Sequence, residues 1–254
     1  MKKIFIYLFI FISTIIYAQE KPYESPLTSY KDNYFLLGNM EDQVKFQLSL
    51  KYNLFYPNST GIYFAYTQLS HWYVYNDRDT FYTMYQPEIF YRFESGNNIF
   101  KNFIIPYVDY IQTSPFSHCS TGVEGNDHRS IGTYYGQIQL SIGEIYNFGI
   151  NGKYFRYYEV ADKNKDINDY KKNYEADLFF KLKSSEVEYL DKEELHFKFG
   201  GNPLNKGWYC IEGQIRIITS YIQPRLFIQY WHGYGEFMVN YNQKENNIRV
   251  GVIL

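Results

Sequence analysis

Val44-Lys45-Phe46-Gln47-Leu48-Ser49-Leu50-Lys51 alternates apolar and polar residues without a break. In an extended strand successive side chains leave opposite faces, so this segment has one greasy side and one wet side. The pattern recurs. Ala176, Leu178, Phe180 and Leu182 interleave with Asp177, Lys181 and Lys183, and Ile222, Leu226, Ile228 and Tyr230 with Gln223, Arg225 and Gln229. Val250, Val252 and Leu254 end the chain in the same way. Stripes at helical spacing are hard to find. The spacing predicts about a dozen strands bounded by polar or Gly/Asn-bearing turns. Those turns are expected near Asn58-Ser59-Thr60, Gly96-Asn97-Asn98, Asp162 to Asp169, Gly200-Gly201-Asn202 and Lys244 to Asn247.

Composition narrows the function classes. The 254 residues include 30 Tyr, 21 Phe and 3 Trp, too much apolar area for a disordered or collagen-like chain. With 25 basic against 27 acidic side chains there is no electrostatic case for nucleic acid as a partner. Two cysteines in a chain of this length are no disulfide scaffold. The length fits one domain, or at most two.

Met1-Lys2-Lys3 followed by the apolar run Ile4 to Tyr17 and by Ala18 reads as a cleaved signal peptide spanning 1–18. The run falls short of the roughly 20 apolar residues a spanning helix needs. Residues 19–32 are expected to form an N-terminal periplasmic segment, and 33–254 the folded domain.

Alternation alone suits two architectures. A soluble sandwich buries its apolar face, whereas a transmembrane barrel turns it to lipid and keeps a polar interior. Three features favour the barrel. Runs such as 60–75, 99–113 and 171–183 reach the roughly 9–11 residues that cross a bilayer at a tilt. Aromatics crowd strand ends (Tyr63, Tyr66, Trp72, Tyr73, Tyr75; Tyr154, Phe155, Tyr157, Tyr158), as interfacial girdles require. The signal peptide sends the chain where such barrels live. A closed barrel also pairs every backbone amide, the condition for crossing hydrocarbon.

His118-Cys119-Ser120-Thr121-Gly122 concentrates the chemistry. His118 and Ser120 are two apart, so on an extended strand they share a face with Cα atoms roughly 6.5 Å apart. An imidazole at that range can take the serine proton, the activation a weak oxygen nucleophile needs. Gly122 leaves room for a backbone N–H to approach an oxyanion.

Read in order, the flanking motifs resemble the outer membrane phospholipase A family. Glu41-Asp42-Gln43-Val44-Lys45-Phe46-Gln47-Leu48-Ser49-Leu50 is similar to an early strand of that family. Tyr66-Thr67-Gln68-Leu69-Ser70-His71-Trp72 and Tyr85-Gln86-Pro87-Glu88-Ile89-Phe90 resemble the next two. His118-Cys119-Ser120-Thr121-Gly122 with Arg129-Ser130 resembles the active-site strand and loop. Gly233-Tyr234-Gly235-Glu236, Asn240-Tyr241-Asn242-Gln243 and Arg249-Val250-Gly251-Val252 resemble the last two strands. The likeness runs collinearly from about Asn33 to Leu254. It implies an all-β, twelve-stranded antiparallel transmembrane barrel in the bacterial outer membrane. It also implies an esterase of membrane glycerophospholipids, dependent on calcium and activated as a homodimer.

Carried over residue by residue, the resemblance makes Ser120 the nucleophile, His118 its general base and Gly122 the oxyanion donor. The family's Ca2+ ligands fall at the carbonyls of Val123 and His128, and its partner-subunit ligand at Asp77 or, in another register, Thr80. One position departs. The neutral Asn that orients the histidine in the family is replaced by Gly132, with Asn126, Thr133 or a water as candidate substitutes. That departure implies a slower enzyme, and it keeps open a catalytically impaired or inactive barrel with a structural or transport role. A secreted soluble β-protein is the third reading.

Other residues read blandly. His71, His128, His196 and His232 lie apart, with no partners at zinc spacing. Cys119, between His118 and Ser120, is expected to point inward. Asp162-Lys163-Asn164-Lys165-Asp166 and the acidic run from Glu186 to Glu194 read as solvated loops.

Overall fold

Alternation becomes wall. The computed structural model describes residues 25–38, 43–73, 81–94, 108–121, 129–142, 146–182, 193–202, 206–216 and 224–253, and the signal-peptide stretch 1–18 lies outside them. In chain order the strands are β1 (Leu27–Ser29), β2 (Tyr34–Gly38), β3 (Gln43–Asn53), β4 (Gly61–Tyr73), β5 (Phe81–Glu94), β6 (Val108–Thr121) and β7 (Ser130–Ile142). They continue with β8 (Tyr146–Val160), β9 (Tyr174–Leu182), β10 (Glu193–Asn202), β11 (Lys206–Arg216), β12 (Arg225–Tyr234) and β13 (Lys244–Ile253). From β2 onward each strand pairs antiparallel with its successor, and β13 pairs back onto β2. The sheet has closed on itself.

β1 and β2 follow one another along the same edge of β3, with Leu27 opposite Tyr52 and Tyr34 opposite Gln47. They form one interrupted stave, so the cylinder is twelve-stranded, as the resemblance implies. Its pairing starts at Leu27, inside the stretch 19–32.

The two faces separate as the pattern predicts, with the wet one inside. Lys45, Ser49, Thr67, Glu88, Gln112, Gln214, Gln229 and Arg249 are buried in the lumen. Leu50, Phe64, Tyr66, Ile138, Ile150, Leu178, Phe197, Ile211, Ile228 and Val250 are exposed on the exterior. A row of exposed aliphatic and aromatic side chains around a polar core inverts the layout of a sandwich and fits a lipid-facing belt.

Two expected turns are strand instead. Gly200-Gly201-Asn202 pairs with Trp208, Gly207 and Lys206, and Lys244 to Asn247 pairs with Tyr234 to Trp231. Glu245 and Asn247 join the lumen network through Glu236, and the Trp208 ring lies against Gly200. The turn between β12 and β13 is 235–243. Asn58 to Thr60 and Asp162 to Asp169 do form connections, the latter with a short helical turn at Ile167–Tyr170. Of the run 99–113, the part from Val108 belongs to β6, and 99–107 lies outside the described residues, as does Gly96-Asn97-Asn98.

Polar groups crossing the lumen are paired. Near the lower end Tyr135 donates to Glu88 at 2.8 Å, Lys31 lies 3.3 Å from the same carboxylate, and Arg92 donates to Gln112. Near the upper end, where β6 joins β7 and β12 joins β13, Glu236 accepts from Lys45 at 2.7 Å and from Arg249 at 2.6 and 3.0 Å. Burial alone would raise the Glu236 carboxyl, but Lys45 and Arg249 outweigh it and hold the group well below the usual carboxylate range.

Candidate active site

β6 carries the candidate residues, and a β-bulge decides where they point. Register slips by one residue around Pro115 against both neighbours, so Phe116 pairs with Ile89 while Ser114 pairs with Tyr135 and Ser117 with Thr133. Proline has no N–H to give a ladder and suits such a break. Ser114 caps it, donating to the carbonyls of Ile89 and Phe116 at 2.7 and 2.8 Å. Before the bulge the even-numbered Gln112 and Ser114 face the lumen; after it the odd-numbered Cys119 and Thr121 do. Phe116, His118 and Ser120 therefore share the exterior face. Phe116 is exposed, and its ring stacks on His118 at 6.4 Å. Bulges next to functional sites re-aim side chains in this manner.

His118 and Ser120 thus lie on the lipid-facing side at the upper rim, Ser120 between Tyr85 of β5 and Ser130 of β7. Cys119 packs inward against the cluster containing Ile131, Ile167, Phe227 and Phe237. The strand ends around the site are tied down. Thr121 donates its N–H to the Arg129 carbonyl and accepts the Arg129 N–H, both at 2.9 Å. The Arg129 guanidinium donates to the Met238 carbonyl, and Asn164 to the Ser130 carbonyl. Tyr241 donates to Asp166. Three connections of the upper rim are therefore joined around the base of β6 and β7.

Gly132 sits directly opposite His118 and, on its other edge, opposite Glu159 of β8. A second bulge inserts Tyr158 between Glu159 and Tyr157, which pairs with Thr133. The Tyr158 ring occupies the space a Gly132 side chain would need. Beside that ring Nδ1 of His118 lies 3.9 Å from Oε2 of Glu159. Thr133 turns to the lumen and donates to the Ser117 carbonyl, so it cannot reach the imidazole. Glu159 was not among the candidates: alternation from Phe155 and Tyr157 sends it inward, and the bulge that reverses it shows only in the register. Gly122, Val123, Asn126, His128, Asp77 and Thr80 lie outside the described residues.

The sequence matches the family model described as Phospholipase A1 over residues 3–254. Phospholipase A1 of Escherichia coli (strain K12) is 27% identical over 221 residues, 84% of this chain and 70% of that protein. Putative phospholipase A1 of Neisseria meningitidis serogroup B is 27% identical over 225 residues, covering 83% and 53%. Among solved structures, outer membrane phospholipase A from Escherichia coli has a TM-score of 0.73 at 21% identity, covering 96% of both chains. The Salmonella typhi outer membrane phospholipase dimer with bound calcium has a TM-score of 0.72 at 22% identity, covering 94% of this chain and 95% of that one.

Proposed function

Because the chain belongs to the phospholipase A1 family, we propose that it is a calcium-dependent esterase of the bacterial outer membrane that hydrolyses acyl esters of glycerophospholipids. The observation that carries this reading is the placement of His118 and Ser120 together on the apolar exterior of a closed barrel. A lipid there presents its ester without leaving the bilayer.

In the proposed reaction the Ser120 oxygen attacks the ester carbonyl carbon while His118 takes its proton. The carbonyl electron pair moves onto oxygen, and the Gly122 N–H donates to that oxyanion. Collapse expels the lysophospholipid alkoxide, which takes the proton from His118. Water, deprotonated in turn by His118, then releases the fatty acid and frees Ser120. The carbonyls of Val123 and His128, with Asp77 or Thr80 of a second copy, are hard oxygen donors of the kind calcium takes. Calcium held by these oxygens would supply positive charge that favours the oxyanion. A homodimer would also shape a groove for the acyl chains, making assembly the switch for a membrane-degrading activity.

The test is fatty-acid release from phospholipid in mixed micelles, with calcium or with EDTA, beside Ser120→Ala. Activity confined to the wild type with calcium supports the reading. Equal release by wild type and Ser120→Ala refutes it.

A further inference from the structure

We infer that Glu159 is the residue that positions His118, reaching it from two strands away across Gly132, alongside the Tyr158 ring that fills the space over that glycine. The inference rests on the esterase reading above. Three facts carry it: His118, Gly132 and Glu159 lie in one row across β6, β7 and β8; the middle residue has no side chain; and the approach is made to Nδ1. Nδ1 is the nitrogen that leaves Nε2 free for the serine hydroxyl. A regular β8 would send residue 159 into the lumen with Val160 outside. The extra residue Tyr158 reverses that, turning Val160 to the core cluster and Glu159 to the exterior.

The 3.9 Å separation exceeds a direct hydrogen bond and falls within reach of one side-chain rotation or a bridging water. Such contacts tighten in the substrate complex. Glu159 accepts a hydrogen bond from Nδ1–H while Nε2 takes and returns the serine proton. No proton moves to the carboxylate. A glycine where the family has its orienting residue then makes room for the Tyr158 ring and leaves the orienting role to Glu159.

The experiment compares wild type with Glu159→Ala, Glu159→Gln, Ser120→Ala and Asp162→Asn, all purified as intact barrels checked by heat-modifiable gel migration. Kinetics are read on phospholipid micelles with calcium between pH 5 and 9. Among the described residues Tyr85 of β5, Tyr134 of β7 and Arg156 and Tyr158 of β8 are ionisable groups on the same exterior face, and they are left in place. Glu159→Ala is expected to lower kcat about tenfold or more with KM little changed. Glu159→Gln should recover part of kcat, since an amide oxygen still accepts a hydrogen bond from Nδ1–H. Asp162→Asn, which removes a loop carboxylate paired with Lys165, should change neither kcat nor KM. A Glu159→Ala enzyme with wild-type kcat, or a Glu159→Gln enzyme no better than Glu159→Ala, beside an inactive Ser120→Ala, overturns the inference and leaves the esterase reading standing. An active Ser120→Ala overturns both.

Discussion

Glu236→Ala would leave two buried cations facing each other. Glu236 belongs to the turn between β12 and β13 and folds down into the lumen, where its oxygens take one hydrogen bond from Lys45 and two from Arg249. The side chains of Glu236, Lys45 and Arg249 are 2%, 5% and 0% exposed, so water replaces nothing that is lost. Three charge-assisted hydrogen bonds disappear, each worth about 1.5–3 kcal/mol gross. The desolvation already borne by the carboxylate is recovered, which leaves a net cost of about 3–5 kcal/mol. That is about two to three and a half powers of ten in the folding equilibrium. The same turn lays Phe237 on the His71 ring at 4.3 Å and presents the Met238 carbonyl to Arg129, so the damage should spread to the upper rim. Urea unfolding in detergent micelles, followed by gel migration of unboiled samples, measures it. A combined Lys45→Met, Glu236→Leu, Arg249→Met variant should be more stable than Glu236→Ala, because it buries no unpaired charge. A Glu236→Ala midpoint equal to wild type, or a triple variant weaker than the single one, would refute the reasoning.

The same carboxylate sets an acid dependence. Its folded value is depressed, so its contribution is complete above the ordinary carboxylate range and is lost as pH falls through the depressed value. Glu236→Gln should be weaker than wild type at neutral pH, with a flatter decline in acid, read by the same unfolding assay. Gly251→Ala places a Cβ against the Phe35 carbonyl and the Leu36 backbone at the seam where β13 meets β2, and should sharply reduce the heat-modifiable fraction after refolding. Ile228→Arg puts a charge in the middle of the exposed face of β12 and should cost about 2–4 kcal/mol in lipid vesicles. A neutral result there would remove the membrane belt. EDTA should abolish phospholipid hydrolysis without changing the urea midpoint, since the strands close through their own ladder; unchanged hydrolysis in EDTA would remove calcium from the mechanism.

Faces were legible in the sequence where one side of a strand was mostly apolar and the other polar. Leu50 against Ser49, and Ile228 against Gln229, already divide exterior from lumen. Legibility failed where the lumen-facing residues were turn formers by composition. Glu245 and Asn247 look like a polar loop, yet Asn240 donates to Glu245, and Asn247 donates to both Glu245 and Glu236 within the lumen network. That His118 and Ser120 share a face could be read because alternation holds over two residues. Glu159 could not, because its exposure depends on a one-residue slip that period-two reasoning has no means to locate.

The interrupted first stave has a last consequence. Between β1 and β2 the chain folds Tyr30 and Lys31 inward, where Tyr30 stacks on Phe90 and Lys31 meets Glu88. Together with the Glu236 cluster above, this stoppers the bore at two heights with groups bonded to one another. Such a tube should pass no current: planar-bilayer recordings ought to stay at baseline, and solutes ought to cross no faster through membranes that contain it. What the protein does to a membrane, it must do along its flank.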